Sequence, residues 1–433
     1  MRKITGIIAA SAAAIIASAA AIGAGVSSVK ADGVTDDVIT VVSPDDGKTF
    51  AVDNAEIDKY FKNYTFNFSQ DKYGSKNFYG CDEYLTTPVT LEWECRNGRY
   101  YQVYLDSEKH FTNAEKYMTT APRLTIDNII PNREYYWKVK VTDDGGNQTF
   151  SKVYSFTPTA YVRTMDIDGV ENMRDMGGLL TSDDKQIRYG IIYRSANYDS
   201  ITEKGKEQMR RLGIKTDLDL RGESSAVSPL GDGVKRVNFN APYYVNEIVG
   251  KENRGIDGDE KYVKTFAEEI RFCANPDNYP MGYHCAIGRD RTGTLAAVLY
   301  AICGVSREDI IRDYEISWFS KAAANNTSLN VTAINRLCDF IQGQSGASFK
   351  DKTCNYLLSI GVTQAELDSV RDILTGRTEI TVNDEVGNPA TVVPETESAG
   401  NDDETEVTAD YDISDLVKKI APRAQYKMTV GEK

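Results

Sequence analysis

The ten residues from His284 to Gly293, reading His-Cys-Ala-Ile-Gly-Arg-Asp-Arg-Thr-Gly, constrain this chain more than any other stretch. Cys285 and Arg291 enclose five residues, glycines stand at 288 and 293, and an apolar helical pattern from Thr294 to Ile302 follows at once. Ahead lies Met281 to His284, which reads as a short buried strand. A strand, a tight loop and a helix form a geometry in which successive loop N–H groups point inward and cradle an anion at the helix N-terminus. Ala286, Ile287, Gly288 and Arg289 would line that cradle. Arg291 adds a planar fork suited to two oxygens of a phosphate. Cys285 shares this positive field, the setting in which a thiolate acts as a nucleophile on phosphorus. The bland alternative is a core cysteine or half of a disulfide. A bare Cys-x5-Arg recurs by chance, but the fuller string fixes six positions in the right strand-to-helix context.

The other residues narrow the chemistry. His110 and His284 are the only histidines, which argues against a histidine-rich dinuclear metal centre and leaves little room for a Ser-His-Asp hydrolase. No cofactor or metal is expected. Seven cysteines (81, 95, 273, 285, 303, 338 and 354) include no CxxC pair, and the odd count fits one free reactive thiol beside structural cysteines whose pairing spacing does not define. Residues 1–31 read as a signal peptide: Arg2 and Lys3 precede an Ala/Ile-rich run that ends at Val29, Lys30 and Ala31. A retained membrane anchor is the alternative, since the run approaches spanning length. The expectation is a secreted or extracellular protein, in which an exposed thiolate risks oxidation. Removal of the leader moves the formal charge from −14 to −17, a poor balance for nucleic-acid binding. Any phosphate site must then rely on local donors.

Residues 32–158 read as all-β. Val89 to Trp93, Tyr100 to Leu105 and Tyr135 to Val141 alternate apolar and polar, and Asp143 to Asn147 is a turn cluster before a strand at Val153 to Phe156. Ser43-Pro44, Leu91 and Trp93, Ile130-Pro131, the Tyr135/Trp137/Val139 strand and the closing Phe156 to Pro158 make this part resemble a fibronectin type III module. Residues 53–86 fit that pattern poorly and read as a Tyr/Asn-rich insertion whose aromatics either pack on the sandwich or face a ligand. Residues 159–380 alternate short strands with helices, as an α/β domain does. Ile191 to Tyr193 and Thr216 to Leu220 read as buried strands. Thr202 to Leu212 and Ser306 to Phe319 read as helices, and Thr363 to Glu366 as a capping box. Residues 381–433 form an acidic tail that reads as disordered: Asn383 to Asp412 holds ten acids and no basic residue.

Three further strings accompany the loop in order: Asn172 to Gly178 (Asn-Met-Arg-Asp-Met-Gly-Gly), Tyr193-Arg194-Ser195 and Asp219-Leu220-Arg221. Together they make the α/β region resemble the bacterial tyrosine phosphatase family, which includes enzymes active on phosphoserine/threonine and phosphoinositides. The resemblance implies an α/β cysteine-phosphatase domain on a mainly parallel central sheet, which with the fibronectin III-like β-sandwich before it makes a multidomain chain. It also implies hydrolysis through a phosphocysteine. Cys285 would be the nucleophile, Arg291 and the loop amides the phosphoryl ligands, and Thr292 a donor to the Cys285 sulfur. Asp290 is the expected general acid, with Asp219 as runner-up or as a structural partner of Arg221. Arg194 is expected at the substrate. Arg174 and Asp175 would brace the loop from outside, with His284 ordering it and Gly293 supporting it. Arg289 stands where family members that accept lipid phosphates carry lysine, and arginine changes reach and geometry.

The expected partner is a phosphorylated protein, peptide, lipid or inositol substrate, with no nucleic acid, and the β domain could engage a cell-surface or extracellular partner. Two other readings compete: an inositol-polyphosphate or phosphoinositide phosphatase, which the flanking Lys251, Arg254, Lys261 and Lys264 permit, and a non-catalytic extracellular binding protein.

Overall fold

A computed structural model of the chain describes residues 39–63, 85–222, 225–249, 253–324 and 331–380. The leader, the acidic tail, Cys81 and most of the 53–86 insertion lie outside the described residues.

The alternating segments form strands. In order these are Thr40–Ser43 (β1), Lys48–Ala51 (β2), the helix Ala55–Asn63 (α1), Val89–Glu94 (β3), Gly98–Asp106 (β4), Glu115–Thr119 (β5), Arg123–Ile126 (β6), Tyr135–Asp143 (β7), Gln148–Phe150 (β8) and Tyr154–Thr159 (β9). One sheet runs β1-β3-β6; the other runs β2-β9-β7-β4-β5, with β8 on β7. Every pairing is antiparallel except β2 with β9. Period-two alternation sends Leu91 and Trp93 from one sheet and Trp137 and Val139 from the other into a shared core. The Trp93 and Trp137 rings lie 6.4 Å apart in its centre. Burial of each such side chain is worth roughly 1.5–3 kcal/mol, so the alternation holds the two layers together.

The second part contains Arg174–Asp175 (β10), Ile192–Ser195 (β11), Glu203–Arg211 (α2), Thr216–Asp219 (β12), Lys235–Asn238 (β13), Asn246–Val249 (α3), Glu260–Cys273 (α4), Met281–His284 (β14), Asp290–Cys303 (α5), Arg307–Ile316 (α6), Lys321–Ala324 (α7), Val331–Gln342 (α8), Phe349–Ser359 (α9) and Gln364–Leu374 (α10). Its sheet order is β10-β11-β14-β12-β13, with β11, β14, β12 and β13 parallel and only the short β10 antiparallel. The strand that leads into the Cys285 loop is therefore the central one, and the loop leaves at its carboxyl end, where open parallel sheets place their ligands. The helix that follows, α5, is buried from Thr292 to Cys303 on all sides, as its continuous apolar sequence requires. It stops at Gly304, whose φ of +86° suits a left-handed cap. Thr202, Ser306, Ser348 and Thr363 cap the starts of α2, α6, α9 and α10 with side-chain oxygens.

The insertion corrects an expectation. The described part of it, α1, turns from the sandwich onto the α/β part. Ile57 and Tyr60 form one apolar cluster with Ile316 and Phe319, and Phe61 stacks on Tyr161 at 4.6 Å. A second tie is ionic: Arg163 pairs with Asp175 at 2.8 Å, wholly buried, while its Nε donates to the Asn128 carbonyl of the sandwich at 3.1 Å. The β and α/β parts thus belong to one compact unit.

Tyr60 also donates to Glu315 at the end of α6. Burial raises the Glu315 carboxyl from its ordinary 4.5 to about 7, against the lowering effect of the Tyr60 bond. Between those values the folded chain holds a proton that the unfolded chain has released. Glu315 therefore supplies stability that is complete below about pH 4.5 and lost as pH rises through about 7. Urea unfolding across that window should show wild-type stability falling relative to Glu315→Gln as pH rises; a difference between the two that does not change with pH would contradict this assignment.

Candidate active site

The carbonyl groups of the loop show how it is held. Leu220 N–H donates to the His284 carbonyl at 2.9 Å, and Nδ1 of His284 lies 3.3 Å from the Cys285 carbonyl. Asn197 donates to the Ala286 carbonyl through its backbone N–H at 3.2 Å and its side chain at 2.8 Å. Asn172 Nδ2 donates to Ile287 at 2.9 Å, Arg194 Nη2 to Gly288 at 3.0 Å, and Gly293 N–H to Arg289 at 2.8 Å. The carbonyls of His284, Ala286, Ile287 and Gly288 thus accept from groups outside the loop, and that of Arg289 accepts the first helical bond of α5. Among the described residues no protein acceptor takes the N–H of Ala286, Ile287, Gly288 or Arg289. With the unpaired first-turn amides of α5, these N–H groups form a concave set of donors at a helix N-terminus.

Glycine is required at one point of this curl. Gly288 has φ of +72°, and a Cβ there would lie 2.4 Å from the carbonyl carbon and oxygen of Ser195. Cys285 sits at the base, 2% exposed. Arg291 donates from Nη1 to the Leu220 carbonyl at 3.2 Å and lies over the Tyr243 ring at 5.0 Å. Its Nε is buried with no acceptor. The Thr292 hydroxyl is likewise buried with no hydrogen-bond partner, so the expected bond to Cys285 is not formed in this structure.

The supporting residues divide differently from the expectation. Arg194 does not face substrate. It is fully buried beneath the loop, paired with Asp313 and holding Gly288. Arg174 donates to Asp313 at 2.9 Å and to Asn172 at 2.8 Å, so it braces the loop through Asn172. Asp175 does not touch the loop: its oxygens take the N–H groups of Gly177 and Gly190 and the Arg163 guanidinium. Arg289 is not a rim cation. It is 8% exposed, bonds to Asp290 at 2.9 Å and lies over the Trp318 ring at 5.4 Å. Asp219 accepts from Arg221 and Arg236 and is buried, which is the structural ion pair of the two readings offered for it. Burial works to raise its pKa, and the Arg221 hydrogen bonds together with the neighbouring charges outweigh burial and hold it below the ordinary carboxylate range. Asp290 opens α5, partly exposed, with Tyr244 donating to its Oδ1 at 2.7 Å. His284 donates from Nε2 to Asp217 at 2.9 Å, an orienting bond. Gly293 lets the Tyr314 ring approach: a Cβ there would lie 2.9 Å from it.

Several site residues escaped the sequence reading: Asp313, Asn172, Asp217, Tyr244 and Glu269. Glu269 on α4 is buried with Oε1 unpartnered. Burial pushes its carboxyl well up, and the Arg291 charge pulls in the other direction. The six described cysteines are all free thiols, and burial raises Cys303 and Cys338 to about 12, which keeps both protonated and inert. Among the described residues no cluster of three or more His, Cys, Asp or Glu side chains is arranged to hold a metal ion.

Residues 165–376 match the model of the Tyrosine phosphatase family. A Cupriavidus necator protein that bears a tyrosine-protein phosphatase name is 28% identical over 187 residues, 37% of this chain and 66% of that protein. The tyrosine-protein phosphatase of Nostoc commune is 26% identical over 145 residues, 29% of this chain and 47% of that protein. The chain thus spans about half to two thirds of these curated relatives. Among solved structures, the core catalytic domain of the PP-IP phosphatase Siw14 from S. cerevisiae, in complex with citrate, aligns with a TM-score of 0.25 and 20% identity over 37% of this chain and 83% of that one. The family match is confined to the α/β part and covers a little under half of the chain.

Gly288→Ala tests the curl itself. The added Cβ must push the loop off Ser195, and displacement on the scale of an ångström at a reacting centre costs about 100-fold. Hydrolysis of p-nitrophenyl phosphate should fall by that factor while the far-ultraviolet spectrum is unchanged; wild-type turnover would contradict the assigned geometry.

Proposed function

We propose that this protein is a phosphatase that hydrolyses phosphate monoesters, phosphotyrosine foremost with phosphoserine and phosphothreonine as further substrates, through a phosphocysteine intermediate. One observation carries the reading: the carbonyls of His284, Ala286, Ile287, Gly288 and Arg289 all have donors, while among the described residues the N–H groups of Ala286 to Arg289 have no protein acceptor and are left for an anion beside Cys285. In the first step the Cys285 sulfur attacks phosphorus. The bond to the leaving oxygen breaks, and Asp290 protonates that oxygen. The loop amides and Arg291 hold the three equatorial oxygens as charge redistributes. In the second step water attacks the phosphocysteine, Asp290 takes its proton, and the thiolate leaves. Arg291 is positioned for this by the Leu220 carbonyl and the Tyr243 ring.

A second substrate reading, an inositol phosphate or phosphoinositide, is favoured by Arg254. Its guanidinium lies over the same Tyr243 ring as Arg291, at 5.0 Å, so a second cation stands next to the phosphoryl site. We also propose that the leader directs export, and that the sandwich is a fibronectin type III-like module serving a surface or extracellular partner.

Turnover of p-nitrophenyl phosphate without added metal, inhibited by vanadate, should drop at least about a thousandfold in Cys285→Ser. Robust hydrolysis by the serine variant would refute the nucleophile. A panel of phosphopeptides, phosphoinositides and phytate separates the substrate readings, with Arg254→Ala expected to weaken only substrates that carry a second anionic group.

A further inference from the structure

The strongest group outside the loop is a pair of buried tyrosines. Tyr244, from the segment before α3, has φ of +31° and is fixed by its backbone N–H to Thr294 Oγ1 at 2.8 Å. That hydroxyl in turn donates to the Asp290 carbonyl at 3.0 Å, so the tyrosine is tied to the first turn of α5. The Tyr244 hydroxyl lies 2.7 Å from Asp290 Oδ1 and 2.5 Å from the hydroxyl of Tyr314 on α6. A phenol has one proton. The carboxylate oxygen can only accept it, so Tyr244 donates to Asp290 and accepts from Tyr314.

Arg289 Nε donates to the same Oδ1 at 2.9 Å, whereas among the described residues Oδ2 has only Arg289 Nη2 at 3.4 Å. One carboxyl oxygen is therefore saturated with donors, and the other is left to carry a proton. We propose that Tyr244, relayed by Tyr314, is the positioning residue that orients Asp290 so that Oδ2 delivers the proton to the leaving group. The inference rests on the phosphatase reading of the Cys285 loop and on Asp290 as its acid. In the step concerned the sulfur lone pair forms the S–P bond, the P–O pair passes to the leaving oxygen, and that oxygen takes the Oδ2 proton. Tyr244 itself transfers no proton.

Charged and titratable groups reach Asp290 from three sides: Tyr244, Tyr314 from α6 and Arg289 from the loop, with Arg194 acting on Tyr314 from below.

The test compares wild type, Tyr244→Phe, Asp290→Asn and the double variant on p-nitrophenyl phosphate and on phenyl phosphate, a poorer leaving group. Tyr244→Phe should lower kcat about 10-fold on phenyl phosphate and less than about 2-fold on p-nitrophenyl phosphate. In the Asp290→Asn background it should add no leaving-group selectivity. Equal losses on both substrates, or the same selective loss without Asp290, overturn the proposal while the phosphatase reading stands. Absence of selectivity in Asp290→Asn itself removes the acid assignment and this proposal with it. Should Tyr244→Phe fail to fold, Tyr314→Phe keeps the direct bond and should show the same leaving-group selectivity to a smaller degree; no selectivity there counts against the relay.

Discussion

The loop depends on one buried carboxylate. Asp313, on α6, takes Arg174 on one oxygen and Arg194 on the other, and all three side chains are withdrawn from water. Burial alone would raise the Asp313 pKa, and the two guanidiniums outweigh burial to hold it ionised, below the ordinary carboxylate range. Removal of that charge would leave two like charges buried together, an arrangement that costs several kcal/mol. Each arginine then passes its position on: Arg194 to the Gly288 carbonyl, Arg174 through Asn172 to the Ile287 carbonyl. Two cations against one anion leave an excess of positive charge under the curl, and Arg194 is close enough to Cys285 for the two to interact. A protein of net charge −14 builds its anion site in this way, from local donors that the overall field does not supply.

The same helix joins the site to the rest of the molecule. Within two residues of Asp313, Tyr314 reaches Tyr244 and Glu315 receives Tyr60 from α1. The β part is therefore packed on the α/β part through α1 against α6 and through the Arg163–Asp175 pair, whose arginine also donates to the Asn128 carbonyl.

Much of the molecule was legible from pattern. Period-two alternation marked β3, β4 and β7, and the loop string marked β14 and α5. The site's supports were less legible because their partners lie far away in sequence: 139 residues separate Arg174 from Asp313. A signal was nevertheless present. Asp313 falls on the apolar stripe of α6 beside Ile310 and Tyr314, and Glu269 falls on that of α4 with Phe266, Ile270 and Cys273. An acid on an apolar face must find a partner or stay protonated. Asp217 and Asp219 are likewise two acids on one buried strand, and they meet His284, Ser228, Arg221 and Arg236. Tyr244 sits in an irregular segment with no periodicity to read. The misassignment of Arg194 and Arg289 to substrate has a common cause: charge suggests exposure, whereas both arginines are buried and hold the loop.

The central claim is that Cys285 forms a covalent bond to phosphorus inside the curl of amides. Rapid mixing with a phosphotyrosine peptide, acid quench within the first turnover and mass spectrometry of the proteolysed protein would read it directly. The account predicts a phosphoryl adduct on the peptide that contains Cys285, appearing before free phosphate reaches its steady rate. Phosphate release with no adduct on that peptide, from an enzyme shown to be turning over, would contradict it.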